Sequence, residues 1–296
     1  MTLSRPTTAQ THKGMILLAT GIFCFTAMDA LAKYLVDLYP TAQVIWARYI
    51  GHFLCVALYL GPRFLPSLKT TMPGWHFLRS ATQLGATVFF FLSLNYIGLA
   101  EATALAGIAP LLITLGAALF LGEPLGIHRL VGVGLAMLGA LIVIRPGSGV
   151  FTMAALLPMI CAVSYAANML LTRLVGSRET PWAAMIYASV FGMVASSVVL
   201  PFYWQPIALS HLWAFVGLGA IGAFAQLFII RAYSMAEAGA LAPFGYLDMV
   251  YATFWSIAVF SDWPDLYTVA GALVIALAGL YVWRQESRAV PAAGTA

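Results

Sequence analysis

The sequence predicts an all-α membrane protein of ten transmembrane helices, built as two inverted five-helix repeats. Three observations predict it. Of the 296 residues, 62% are hydrophobic and 8% charged, whereas soluble domains carry about a quarter charged residues, so lipid must be the main solvent. The apolar residues fall in runs long enough to cross a bilayer core of about 30 Å as helices. The pattern of the first half also returns in the second. Ala100-Glu101-Ala102-Thr103-Ala104-Leu105 is echoed by Ala236-Glu237-Ala238-Gly239-Ala240-Leu241, and each is followed by a proline, an apolar run, an acid-containing turn and a last helix.

The elements follow in order. Residues 1–13 form a polar tail with Arg5 and Lys13. The next run, 14–36, is too long for the apolar region of a signal peptide and carries Asp29 and Lys33, so it reads as a retained first helix. Runs 43–60, 74–96, 101–121 and 127–145 complete the first repeat, 14–145. Pro110 interrupts the fourth run, and the turn Gly122-Glu123-Pro124-Leu125-Gly126 separates it from the fifth. The second repeat, 150–283, holds the runs 150–173, 181–203, 211–234, 238–260 and 265–283, and the polar stretch 284–296 closes the chain. Pro40 to Arg48 aligns with Pro181 to Ser189, Asp29 falls opposite Asn168, Gly122-Glu123 opposite Ser261-Asp262, and Gly139 opposite Gly279. Five is odd, so the second unit must enter the membrane from the other side. Inverted repeats with a solute site between them near the midplane are a transporter design.

Charge sets the orientation. With the N-terminus inside, one face collects Arg5, Lys13, Arg63, Lys69, Arg79, Arg129, Arg173, Arg178, Arg284 and Arg288, while the other holds Arg145 with Asp37, Asp262 and Asp265. The positive-inside rule therefore puts both termini in the cytoplasm of a multi-pass inner membrane protein. The net charge of +4 is spread over loops and forms no nucleic-acid patch. Cys24, Cys55 and Cys161 lie inside apolar runs, odd in number and without a CxxC pair, which argues against disulfides and a thiolate metal site. There is no Walker-type, HExxH or GxSxG motif, and His12, His52, His76, His128 and His211 are scattered. The chain reads as no enzyme and as needing no cofactor or metal. The rivals are a channel, which would show a filter or a charged ring, and a membrane-embedded enzyme.

Polar groups within a span are expensive unless they face protein or water, so each is a candidate site residue. Asp29 and Lys33, spaced i, i+4, can pair with each other or hold the ammonium and carboxylate of a zwitterion. Gln83 is a candidate cavity wall. Tyr165, Asn168, Gln226, Tyr246 and Asp248 can bond a solute or a neighbouring helix. Asp248 can carry a coupling proton or pair with Arg231 across helices. Trp255 and Tyr246 lie far enough inside the ninth span to wall an aromatic pocket, whereas Trp46, Trp213, Tyr187 and Tyr251 read as interfacial. Arg48, near a span end, reads as snorkelling, and Arg79 as a positive-inside anchor. Pro110, Pro158 and Pro243 are candidate hinges, because proline removes a helix hydrogen bond.

The Ala-Glu-Ala-x-Ala-Leu stretch, Pro110, Gly122-Glu123-Pro124 and Leu138-Gly139-Ala140 together resemble the EamA-type transporters of the drug/metabolite transporter superfamily. Within it the chain looks most like the YddG-type exporters of aromatic amino acids. The resemblance covers nearly the whole chain. It implies a secondary carrier that exports small metabolites, amino acids among them, by alternating access, as a monomer or homodimer. An uptake carrier or facilitator for another small polar metabolite is the alternative. The second repeat departs from the pattern at Ser261-Asp262-Trp263-Pro264, so the turn acids read as caps or tethers.

Overall fold

The computed structural model describes residues 8–121, 127–144, 153–176, 180–235 and 242–289, and no strand occurs among them. The first half contributes α1 (Thr8–Val36), α2 (Thr41–Leu60), α3 (Pro73–Ser93), α4 (Leu99–Ala106), α5 (Ala109–Leu121) and α6 (Ile127–Ile144). The second half contributes α7 (Leu156–Gly176), α8 (Pro181–Val199), α9 (Leu212–Met235), α10 (Leu247–Phe260) and α11 (Leu266–Ala289).

Five stretches are long and apolar enough to cross a membrane: His12–Val36, Thr41–Ser67, Trp182–Phe202, Leu209–Ile229 and Leu266–Gln285. Shorter apolar helices occupy Leu99–Ile113, Leu130–Ile144, Leu156–Thr172 and Phe244–Phe260. The expected span 74–96 is the more polar α3, which buries His76, Arg79, Ser80 and Thr87 against its neighbours.

The single helix expected over 101–121 is two helices, α4 and α5. Pro110 stands second in α5, where its missing N–H costs nothing. The Gly107 N–H instead closes α4 on the Thr103 and Ala104 carbonyls, at 2.9 and 3.2 Å. A Cβ at Gly107 would collide with the Met249 side chain of α10, so the break is also a packing point. Pro158 stands where the 3-10 turn Met153–Ala155 runs into the first turn of α7, so it starts that helix rather than bending it. Pro243 lies in the 3-10 turn Ala242–Tyr246 ahead of α10. Glu123 and Glu237, in 122–126 and 236–241, lie outside the described residues.

The helices pack mostly across the halves. α1 lies along α9, α3 along α7, α6 along α11, and α2 against both α8 and α9. α3 also meets α8, α1 meets α10, and α7 meets α5 and α4. Exchanging the halves turns these pairings into one another: α1 with α9 becomes α7 with α3, and α2 with α9 becomes α8 with α3. Glycine makes the closest crossings, since small residues let backbones approach where no hydrophobic effect drives helices together. A Cβ at Gly51 of α2 would sit 2.5 Å from the Gly219 Cα of α9. At the α6–α11 crossing, a Cβ at Gly139 would lie 2.8 Å from the Gly271 carbonyl oxygen.

Two sets of contacts define the ends of the bundle. At the Asp37 end, the Tyr39 hydroxyl accepts the Ala208 N–H at 3.0 Å and meets His211 Nδ1 at 2.9 Å. Gln43 exchanges two hydrogen bonds with the Gln205 backbone, at 2.9 and 3.0 Å. Glu101 caps α4 there, accepting the Gly98 N–H at 3.3 Å, as its place after a turn suggests. At the Arg63 end, Tyr187 donates to the Leu68 carbonyl at 3.2 Å, and Arg231 to the Tyr59 hydroxyl at 3.2 Å.

Candidate functional site

Residues four apart share a helix face, and each helix around the interior carries a polar stripe on that spacing. On α1 the stripe holds Phe25 and Asp29. On α2 it holds Arg48, His52, Cys55 and Tyr59, on α3 Gln83 and Thr87, and on α10 Asp248 and Trp255. The α7 stripe is Cys161, Tyr165, Asn168 and Thr172.

Asp29 is the deepest charge. It is only 5% exposed, and its Oδ1 has no hydrogen-bond partner among the described residues. Facing it from α2, the Arg48 guanidinium lies over three rings from three helices: Phe25 at 5.5 Å, Phe91 at 5.2 Å and its neighbour Tyr49 at 6.0 Å. Such cation–π contacts hold a guanidinium in place but give its N–H groups no acceptor. Tyr49 is itself fixed by a 3.0 Å hydrogen bond to Thr87. Asp29 feels the charges of both Arg48 and Asp248, and Cys161 of α7 feels all three. Four helices, α1, α2, α7 and α10, therefore converge on one charged interior region. The only ion pair among the described residues lies elsewhere, between Lys33 and Asp37.

More orphaned polar atoms surround it. His52 Nε2, Trp255 Nε1 and Ser256 Oγ are buried without hydrogen-bond partners among the described residues. Each such atom costs about 1–3 kcal/mol, and a charged one more. Trp255 packs tilted on Phe23 of α1 at 5.1 Å between ring centres, which seats α10 against α1. Exposure rises along the α2 stripe from half-buried Arg48, His52 and Cys55 to Tyr59, which is 54% exposed at the Arg63 end. Tyr165 on α7 is 40% exposed although Cys161 and Asn168 beside it are buried.

The structure brings together Asp29, Asp248 and Trp255 of the expected site residues. Gln83 and Gln226 stand half-buried on α3 and α9. Gln226 lies one turn beyond Gly222, where a Cβ would sit 2.8 Å from Met28 Sδ, next to Asp29.

Three expectations need correction. Lys33 does not pair with Asp29: its Nζ lies 3.2 Å from Asp37 and donates to the Leu94 carbonyl at 2.6 Å. Both acids are four residues away, and the long side chain reaches the one nearer the end of the bundle. Asp248 does not pair with Arg231, which is exposed and bonds Tyr59. Arg79 is not a surface anchor but is buried, donating from Nε to Thr172 at 2.7 Å and from Nη1 to the Ala184 carbonyl at 3.0 Å. Asn168, fully buried, donates to the Arg79 carbonyl at 2.8 Å and so ties α7 to α3. Tyr246 is turned to α11, where only a glycine at 279 leaves room for its hydroxyl.

Arg48 is the residue that sequence reasoning misplaced. Its depth, about two turns in from Thr41, fits snorkelling equally well. The signal that could have found it is its register with His52 and Cys55, which no lipid-facing arginine needs.

A helical bundle with long apolar spans, doubled in sequence and charged at the junction of its halves, has the architecture of a multi-pass membrane transporter. The family and relatives it matches are transporters of small molecules and not enzymes. The particular kind follows from comparison with known proteins. The model of the EamA-like transporter family matches residues 12–145 and again 152–284, and the chain belongs to that family. It is 28% identical over 282 residues to the pseudopaline exporter CntI of Pseudomonas aeruginosa, covering 92% of this chain and 96% of the relative. It is 25% identical to the S-adenosylmethionine uptake transporter of Rickettsia felis, covering 90% of each chain. It is also 25% identical to the riboflavin transporter of Vibrio cholerae, over 93% of this chain and 94% of that one. A solved crystal structure aligns with a TM-score of 0.65 at 19% identity, over 93% of this chain and 98% of the other, a likeness of fold alone.

Proposed function

We propose that this chain is a secondary transporter that exports small metabolites, amino acids including aromatic ones, across the bacterial inner membrane by alternating access. The observation that carries the reading is the unpaired charge at the junction of the halves. Asp29 and Arg48 sit at membrane depth without an ion pair, and charge is kept there only where it faces a partner or a path. Solute is held there between Asp29, Arg48 and Asp248, beside Gln83, Gln226 and the Trp255 ring. Tyr165 lines the way toward the Arg63 end. Asn168 and Tyr246 position helices around the site.

The exchange of pairings between halves supports ten spans in two inverted repeats of residues 14–145 and 150–283. The basic residues at the Arg63 end support a cytoplasmic location for that end and for both termini. The exposure of Tyr59 there supports a chamber open to the cytoplasm, closed at the Asp37 end by Tyr39, Gln43 and their partners. The break at Pro110 and the short turn at Pro243 are the hinges of the change in access. Asp248 is the candidate for proton coupling.

Export is drawn from the resemblance to exporters of aromatic amino acids and from the relative named as an exporter. A second reading, uptake, is favoured by the relative named as an uptake transporter. Uptake into proteoliposomes of a panel of amino acids, riboflavin and S-adenosylmethionine, with and without a pH gradient, tests both. A carrier gives saturable flux and counterflow, and a proton-coupled one responds to the gradient. Linear flux without counterflow would mark a channel and end this reading. The expected sidedness puts reporter tags on both termini in the cytoplasm.

A further inference from the structure

We propose that Asp29 and Arg48 form a two-point clamp selecting amphoteric solutes, with the solute's carboxylate held by the Arg48 guanidinium and its cationic nitrogen by the Asp29 carboxylate. The proposal rests on the reading of the charged junction as the solute site, and adds to it how the two charges of the solute are divided between Asp29 and Arg48 and the selection that follows.

Four observations support it. First, both groups are fixed by surroundings that do not satisfy them. Arg48 lies over the faces of Phe25, Tyr49 and Phe91, which orient the guanidinium and accept none of its hydrogen bonds. Among the described residues Arg48 makes no hydrogen bond or ion pair, and Asp29 Oδ1 is buried with no partner. Second, the groups face each other. Phe25 and Asp29 lie one turn apart on α1, and the guanidinium sits over Phe25. A small group carrying both charges, as in an α-amino acid, would contact the two together. Third, the residue type fits. A guanidinium presents a planar fork of donors that matches a carboxylate in two parallel bonds. Fourth, the fold does not require charge at these positions. Their counterparts in the second half are Asn168 and Ser189, both fully buried and both donating to backbone carbonyls, of Arg79 at 2.8 Å and Ile186 at 3.0 Å.

Charge arithmetic at this pair then points to the ligand class, with Asp248 adding to the negative side that receives the solute's cationic nitrogen. A simple anion satisfies Arg48 and leaves Asp29 facing it, a simple cation does the reverse, and a neutral solute satisfies neither. Removing one partner of a buried pair is the costly case. Only a solute with both charges satisfies both groups at once.

The test uses the full chain in proteoliposomes with two matched trios. One is phenylalanine, phenethylamine and 3-phenylpropionate. The other is methionine, 3-(methylthio)propylamine and 4-(methylthio)butyrate. Each solute competes for flux of the best-transported member of the wider panel. The amino acid of at least one trio is expected to compete at least about tenfold better than its amine or its acid, the scale of one lost charge-assisted contact. Asp29→Asn is expected to narrow the gap to the acid only, and Arg48→Gln the gap to the amine only. Arg48→Lys, which keeps the charge without the fork, should keep the preference for the amino acid with weaker competition. A purely structural role predicts instead that Asp29→Asn and Arg48→Gln weaken all solutes alike, and that result would overturn the clamp. So would wild-type competition by amine or acid equal to the amino acid, or saturable flux of panel solutes with none of the six competing. In each of those cases the transporter reading stands. If no panel solute shows counterflow in a monodisperse preparation, the transporter reading falls and the clamp with it.

Discussion

The two halves of this molecule place different chemistry at matching positions. In the first half Asp29 and Arg48 are ionisable, face each other and lack hydrogen-bond partners among the described residues. In the second, Asn168 and Ser189 are neutral, fully buried and bonded to backbone carbonyls. The α3–α8 contact differs from its counterpart in the same way. There Arg79 of α3 reaches the Ala184 carbonyl of α8, while the corresponding α9–α2 contact is glycine on glycine. The two copies share a frame of helix pairings and differ in the polar groups they carry at these two matching positions. The difference teaches that a buried polar group is read by whether its needs are met. Asn168 through its amide N–H and Arg79 through its guanidinium hold helices together, although Asn168 Oδ1 is also without a partner among the described residues, whereas Asp29 and Arg48 make no hydrogen bond to a described residue at all.

The comparison can be broken most directly at Arg48. Arg48→Ala should lower flux about a hundredfold, as expected when a charge-assisted contact of about 3 kcal/mol is lost, while the loss of its three ring contacts costs about 1–2 kcal/mol of stability and leaves the chain folded. Ser189→Ala, its counterpart, should leave flux within about twofold and stability within about 1 kcal/mol, since it removes one neutral hydrogen bond. Comparable flux losses in both variants would erase the distinction. Arg79→Ala should act the other way round. It leaves the Thr172 hydroxyl and the Ala184 carbonyl without a charged donor, and should lower stability by about 2 kcal/mol in a thermal unfolding assay before it affects the affinity of the folded fraction. At the glycine seam, Gly51→Ala drives a methyl against Gly219 and should destabilise by about 1–3 kcal/mol, the usual range for overpacking. The smallest effect is expected at Lys33→Met. That variant breaks a partly exposed ion pair worth less than about 1 kcal/mol and one hydrogen bond to the Leu94 carbonyl, and should transport normally at a stability cost of about 1 kcal/mol, because Lys33 is a tether at the Asp37 end.

Much of the frame was legible in the chain itself. Asp29 could be nominated because a carboxylate within an apolar run needs a reason, and the break at Pro110 follows from a missing N–H. Lys33 shows the limit of spacing arguments. It lies four residues from both Asp29 and Asp37, so periodicity permits either pair, and only the position of the helix end chooses Asp37. Arg48 shows a second limit. Its distance from the span end was readable, but the three rings that hold it come from α1, α2 and α3, and no local pattern states that they meet. Pro158 shows a third, since a shift of a few residues in a helix start turns a candidate kink into a first turn.

The sequence by itself determined the solvent, the helical class and the duplication, because hydropathy and repeated motifs are local properties that need no knowledge of neighbours. Only the tertiary structure decided which buried polar groups are satisfied. A hydrogen bond or an ion pair depends on atoms a few ångströms apart in space, and in this bundle those atoms come from helices far apart in the chain.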